Sequence, residues 1–449
     1  MALKKSTIFY YGLTELPVMM SLFPVLVFVP KYYASDLGIS LSLVGTIVLV
    51  VRIFDVFTDP LAGYLSDRTN TRWGRRRPWI VAAAPVMMLA VFMLFLPPAD
   101  AGAWHLLVWM AVLSLGTTMM LIPYYAWAAE LSPDYNERSR ITGARSALGV
   151  VGSILVQVIP LLALFFWGIG GSENVLRLVG ITLLVVMPLC VFLTVINVGE
   201  TKNYENSRIP MREGIRLMSE NGPFLRLIMA FGMSSTALSM TTPLYLFFIT
   251  FVLKAEDQAP YMLAFFYTAN LSAVPFWVWL SGKIGKHKAY IGSFATIAFA
   301  HPFYLLLGEG DFWWMLPITL MTGFAAGGFH AIPNSMKADV IDFDQLQSGE
   351  NRAGQYFATW SFTYKMAASL GGWLALQGLA WFAFNADPAG FNTSEQLFGL
   401  RFLFALAPSV FYLSACVIIW KYPITREAHA EVRAKLERME DKSYLSTGQ

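Results

Sequence analysis

Residues 39–65 read ISLSLVGTIVLVVRIFDVFTDPLAGYL, an apolar stretch interrupted by one base and two acids, Arg52, Asp55 and Asp59. On a helix turning about 100° per residue these three positions fall within roughly 60° of one another, with the carboxylates about 6 Å apart along the axis. A charge at mid-membrane costs about 3 kcal/mol on insertion scales. A helix carries such a stripe only where it faces a bundle interior, a partner charge or a water-filled path. Two acids one turn apart can reach one hard cation, Na⁺ or Li⁺ through their oxygens, or can carry H⁺. Pro60 frees backbone carbonyls nearby. The competing reading is a structural ion pair with Arg52 or with another helix.

Lys365, inside ATWSFTYKMAASLGG, lies about 18 Å from the start of its helix at 1.5 Å per residue, near the membrane centre. A lysine that deep needs an acid, and Asp55 or Asp59 is the expected partner across the two halves. A cation entering between the acids would loosen that contact, which makes Lys365, with Arg52, the expected coupling device. Glu15, two residues before Pro17, suits substrate or proton binding, or is a capped acid in a locally unwound helix. Arg145 suits a polar substrate or an interfacial anchor. Thr117, Thr118, Tyr124, Tyr125 and Trp127 set hydroxyls and aromatic faces along one segment; such faces suit sugar rings, and membrane belts and helix packing use the same residues.

The elements that must position these groups are membrane helices. Of 449 residues 56% are hydrophobic and 14% charged, against about 25% charged in soluble domains. Apolar runs predict twelve spans at 8–30, 39–64, 78–97, 103–129, 141–169, 176–198, 224–253, 260–282, 289–308, 312–335, 353–384 and 397–420. The polar interruption at 199–223 divides them into two sets of six, giving domains at 1–198 and 224–421, a linker at 199–223 and a tail at 422–449. Lys and Arg concentrate in the even-numbered loops, where Arg68, Arg72, Arg75, Arg76, Arg77, Arg138, Arg140, Lys283, Lys286, Lys288, Lys337 and Arg352 are expected. PPADAGA and GEGD carry no base. Both termini are therefore expected in the cytoplasm. The mixed-charge tail reads as a short solvated helix.

The halves echo one another at an offset of about 210 residues: SDRTNTRWGRRRPW at 66–79 with SGKIGKHKAY at 281–290, and Ile122-Pro123 with Ile332-Pro333, each expected to break a fourth helix. Parallel six-helix repeats joined by a linker indicate the major facilitator architecture, an all-α membrane fold of two six-helix bundles. The loop holding Asp67, Arg68, Arg75 and Arg76 is expected to act as a gate by bonding helix ends of the facing bundle. Cys190 and Cys416 read as packing residues, and His105, His301 and His330 lack metal spacing. The chain carries no Walker A motif and no catalytic triad pattern, which argues against an ATP-driven pump and against an enzyme, and no cofactor is expected besides a coupling ion.

RIFDVFTDP, GYLSDRTNTRWGRRRPW and ADVIDFDQLQSGENRAGQYFATWSFTYKMAASLGG resemble the glycoside–pentoside–hexuronide:cation symporters, the family of the melibiose permease. The resemblance implies that Asp55 and Asp59 hold the coupling cation, sodium where the carrier is sodium-coupled, with Thr118 contributing and Thr58 standing where the family has an asparagine. It implies a sugar-site role for Arg145 and matches Lys365 to the family's helix 11 lysine. Met19 and Leu121 occupy positions that are acidic in the melibiose permease, so a galactoside is not expected, and Thr58 leaves Na⁺ and H⁺ both open. Animal lysolipid carriers are similar to the same family. The expected substrate contacts are Glu15, Tyr125, Trp127, Arg145, Trp360, Ser361 and Tyr364. The expected function is cation-coupled symport of a sugar derivative, an anionic one if Arg145 and Lys365 flank the cavity. A lysolipid substrate or a transport-dead sensor are the alternatives. The expected partners are a small-molecule substrate, a monovalent cation and the lipid of a bacterial inner membrane, with no nucleic acid, the protein working as a monomer.

Overall fold

A computed structural model describes residues 4–132, 135–168, 171–200, 221–348, 353–432 and 434–435. Most of the linker at 199–223, together with Arg352 and the end of the tail, lies outside the described residues. Eleven helical stretches among those residues are long and apolar enough to cross a membrane. They are α1 Lys5–Asp36, α2 Leu41–Arg68, α3 Arg77–Phe95, α4 Ala103–Ala128, α5 Arg140–Trp167, α6 Ser172–Asn197, α7 Gly222–Val252, α8 Glu256–Ile284, α9 Lys286–Leu306, α10 Phe312–Gln347 and α12 Ser394–Ile419. Between the last two runs α11, Ala353–Trp381, whose 29 residues include Lys365; at 1.5 Å per residue it is about 43 Å long, enough to span. The twelve-helix expectation thus stands, with one helix more polar than the rest. Among the described residues the one β pairing is the Thr71–Gly74 bridge.

Proline acts unevenly on these helices. In α1 the helix Lys5–Gly12 stops and a second begins at Glu15. Pro17 has no N–H to offer the Leu13 carbonyl, which instead accepts from the Leu16 N–H at 3.3 Å. Glu15 therefore opens a new helix beside a loosened turn. The expected breaks at Pro123 and Pro333 are absent: the helices run on through both prolines, to Leu131 and Ser348. Neighbouring helices and local adjustment re-satisfy the freed carbonyl in a membrane helix, which explains why proline alone did not end them. Lys337, expected in a loop, consequently lies within α10 and is only 4% exposed.

The Cα packing resolves into two compact units. The first comprises Met1–Asn206, Thr242–Ala264 and Gly372–Leu400; the second comprises Ser207–Thr241, Phe265–Gly371 and Arg401–Gln449. In the first unit glycines set the helix spacing. A Cβ at Gly116 of α4 would stand 2.7 Å from Met87 Cγ of α3, and one at Gly152 of α5 would run into the Leu16 carbonyl of α1. Segments from the second half of the chain are sewn to this unit by the Lys31–Glu256 ion pair, with Lys31 buried, by Ser172 Oγ donating to Glu256 at 3.0 Å, and by Ser42 Oγ donating to Gln377 at 2.8 Å. Two π-helical turns, Tyr32–Asp36 and Phe248–Val252, flank the ion pair at corresponding ends of α1 and α7. In the second unit a Cβ at Gly327 of α10 would stand 2.7 Å from the Asn270 carbonyl of α8, so only glycine allows this approach. That is the small-residue packing expected of membrane helices. An aromatic core of Phe231, Phe294, Phe329 and Trp360 fills the space beside it.

Candidate functional site

Three polar groups of the first unit gather residues singled out in the sequence. The first joins α2 and α4. Asp55 is 2% exposed; its Oδ2 accepts from Arg52 Nη1 at 3.0 Å and its Oδ1 from Ser114 Oγ. Asp59, half-buried, accepts from Thr118 Oγ1 at 2.8 Å. The acids are four residues apart on one helix and the hydroxyls four apart on the next, so two carboxylates face two hydroxyls rung by rung. Thr58 is buried but spends its hydroxyl on the Phe54 carbonyl at 3.3 Å. Ser114 was missed in the sequence; the signal was its place one turn before Thr118 on the same face.

An all-oxygen set of two carboxylates and two hydroxyls suits one monovalent hard cation or one proton. Among the described residues no three His, Cys, Asp or Glu converge as a multivalent metal would require.

The second group joins α1, α4 and α5. Tyr125 donates its hydroxyl to Glu15 Oε1 at 3.0 Å, the Arg145 guanidinium lies 4.0 Å from the Tyr125 ring centroid, and Arg145 Nε stands 4.0 Å from Glu15 Oε2. Glu15 Oε2 and Arg145 Nε are buried and have no hydrogen-bond partner. Gly149 makes the room: a Cβ there would stand 3.0 Å from Glu15 Cγ and 3.2 Å from Met19 Cγ. Trp127, expected to touch substrate, is fully buried against Tyr11, while Tyr11 and Tyr124 exchange hydroxyl-to-carbonyl hydrogen bonds at 2.6 and 2.7 Å. This aromatic block backs the site and holds α1 to α4.

The third group is the arginine loop. Arg76, 2% exposed, donates to Glu130 and Asp67 through its guanidinium and to Ser66 Oγ at 2.9 Å; Arg75 Nη2 reaches Glu130 at 2.7 Å. Burial works against the Arg76 charge, but the hydrogen bonds and charges of Glu130 and Asp67 outweigh it and hold its pKa above the usual value. Glu200 accepts from the backbone N–H groups of Arg76 and Arg77 at 2.9 and 2.6 Å, capping α3. Gly74, at φ +112°, leaves the space Glu200 occupies. These partners all belong to the first unit; Arg68 lies over Tyr64 at 4.0 Å. Glu200 was not singled out in the sequence because nothing local marks a carboxylate that caps a helix more than a hundred residues away.

The remaining sequence candidates lie in the second unit. Trp360 stacks on Phe231 with centroids 4.0 Å apart, and Lys337 Nζ stands 4.9 Å from its ring centroid. Ser361 and Tyr364 are exposed, and Lys365 is half-buried in mid-helix.

A helical membrane protein with duplicated sextets and charged groups held inside its helices is a secondary transporter of the major facilitator type. The chain belongs to the MFS/sugar transport protein family, whose pattern it matches over residues 10–426. It is 25% identical to the mouse (Mus musculus) sodium-dependent lysophosphatidylcholine symporter 1, covering 93% of this chain and 85% of that protein. It is also 25% identical to the glucuronide carrier protein homolog of Escherichia coli K12, over 91% of this chain and 90% of that one. The fold matches an inward-facing, unoccupied crystal structure of a bacterial homolog of the human lysosomal transporter Spinster, with a TM-score of 0.67 at 13% identity, covering 97% of this chain and 99% of that one.

Proposed function

We propose that this protein is a symporter that couples the movement of Na⁺ or H⁺ to that of a sugar derivative by alternating access. The observation that carries the reading is the pairing of Asp55 and Asp59 with the hydroxyls of Ser114 and Thr118, with Arg52 bonded to Asp55. A cation completing that set would favour the substrate-competent arrangement of the first unit, and linkage makes the benefit reciprocal: substrate tightens cation by the same factor. Glu15, Tyr125 and Arg145 form the substrate's polar contact. The arginine loop ties α2, α3 and α4 together at one end. The protein resides in a bacterial inner membrane with both termini in the cytoplasm and works as a monomer.

A lysolipid is the second reading, favoured by the apolar Met19 and Leu121 and by similarity to a lysophosphatidylcholine symporter. The test is uptake into vesicles under an imposed Na⁺ or H⁺ gradient, with sugars, glycosides and lysolipids offered in turn. Asp59→Cys should abolish accumulation above equilibrium while leaving downhill exchange. Unchanged concentrative uptake by that variant would refute the cation assignment.

A further inference from the structure

We infer that Thr194 of α6 is a positioning residue for the Glu15–Tyr125–Arg145 cluster, acting through a pair of hydroxyl bonds across the break in α1. The inference rests on the transport reading above and deepens it. The first helix of α1 ends at Gly12 and the second begins at Glu15. The last carbonyls of a helix lack partners within it. That of Tyr10 accepts from Thr194 Oγ1 at 2.7 Å, and Thr194 Oγ1 in turn accepts from Thr14 Oγ1 at 3.0 Å. One hydroxyl from α6 thus holds both sides of the gap. Thr14 immediately precedes the second helix, where a threonine ordinarily caps the N–H groups of the following turn. It makes no such cap; its hydroxyl goes to α6 instead. Both threonines are fully buried, so water does not compete for either bond.

The joint is fixed at the residue next to Glu15. Tyr11 is tied to α4 through Tyr124, and a Cβ at Gly12 would stand 2.7 Å from Leu148 Cδ1 of α5. Neighbouring helices therefore hold the end of the first helix, while Thr194 holds the start of the second. Glu15 is only 5% exposed, and its contacts point inward: it accepts from the Tyr125 hydroxyl and faces Arg145 across 4.0 Å. Tyr125, 37% exposed, and the Arg145 side chain, 18% exposed, are what the cluster presents outward. Without the Thr194 hydroxyl, Thr14 is free to turn back on its own helix. The turn then resets, and the carboxylate one residue on shifts against Tyr125 and Arg145. Such a shift acts on substrate and leaves the acids of α2 as they are, because their bonds run to Arg52, Ser114 and Thr118.

The experiment compares the full-length wild type, Thr194→Val, Thr194→Ser, Glu15→Gln and the Thr194→Val/Glu15→Gln pair in vesicles. It measures the concentration dependence of p-nitrophenyl glucoside and lysophosphatidylcholine uptake under Na⁺ and H⁺ gradients, with thermal midpoints of the purified proteins. Thr194→Val keeps the branched shape and loses the hydroxyl. For the probe that the wild type accumulates, it should raise the apparent KM about fivefold, the scale of one net hydrogen bond. The maximal rate and the cation dependence should stay within about twofold. Thr194→Ser should restore the KM. In the Glu15→Gln background Thr194→Val should change the KM little, because no carboxylate is left to misplace. An unchanged KM in Thr194→Val, equal losses in the Ser and Val variants, or the full effect persisting beside Glu15→Gln overturns the inference and leaves the transport reading standing. Should Thr194→Val lower the midpoint too far to assay, Thr14→Val removes the other end of the same bond and carries the same KM test. Accumulation of neither probe by the wild type removes the transport reading and the inference together.

Discussion

Arg52→Ala tests whether the proposed cation site is one electrostatic unit. Asp55 has a side chain 3% exposed, and its nearest cation is the Arg52 guanidinium at 3.0 Å, itself 22% exposed. Removing one partner of a buried pair costs about 3–5 kcal/mol, because the remaining charge is left without compensation. Ser114 still bonds Asp55 and water reaches the arginine side, so the lower end of that range, about 3 kcal/mol, is expected. At roughly 2–4 °C per kcal/mol, the unfolding midpoint should fall by about 6–12 °C. Two further results follow from the same geometry. Asp55→Asn added to Arg52→Ala should restore most of the loss, since it deletes the orphaned charge, but not transport, since it also deletes a cation ligand. Saturating Na⁺ should raise the midpoint of Arg52→Ala more than that of the wild type, because one positive charge has left the cluster; at 100 times Kd a bound ion contributes about 2.7 kcal/mol. The assay is thermal unfolding followed by tryptophan fluorescence, for four proteins with and without Na⁺. Additive effects of the two substitutions would show that Arg52 and Asp55 do not interact, and the single electrostatic unit would have to be abandoned.

Gly152→Ala puts a methyl into the Leu16 backbone carbonyl, which cannot swing aside as a side chain would; it should cost about 1–3 kcal/mol and weaken substrate more than cation, as a comparison of midpoints and ligand titrations will show. Glu256→Gln leaves Lys31, 1% exposed, without its counter-charge and should destabilise by about 3 kcal/mol; adding Lys31→Met should recover the midpoint, and failure to recover it would mean that the ion pair is not what holds α8 to α1.

The membrane fold was legible because its cause is local and repeated: about 20 apolar residues in a row can satisfy their backbone only as a helix. α11 shows that a helix can be recognised despite Lys365, since apolar residues on both sides supply the length. The stripe of Arg52, Asp55 and Asp59 was likewise visible, because helix geometry alone puts residues three, four and seven apart on one face. Sequence also marked Glu15, Tyr125 and Arg145 as chemically able, and it failed where an effect needed a second chain segment. Pro123 and Pro333 looked like breaks because proline's local cost is known, while the neighbours that absorb it are not. Only the packing of α1 on α5, set by Gly149 and Gly152, decided that Glu15 meets Arg145 and cancels its charge. Only the packing of α2 on α4 brought Ser114 to Asp55. Residue types and helical spacing thus determined which charges the membrane must hide, whereas their partners, and so their net charge and the ligand they suit, came from contacts between helices distant in sequence.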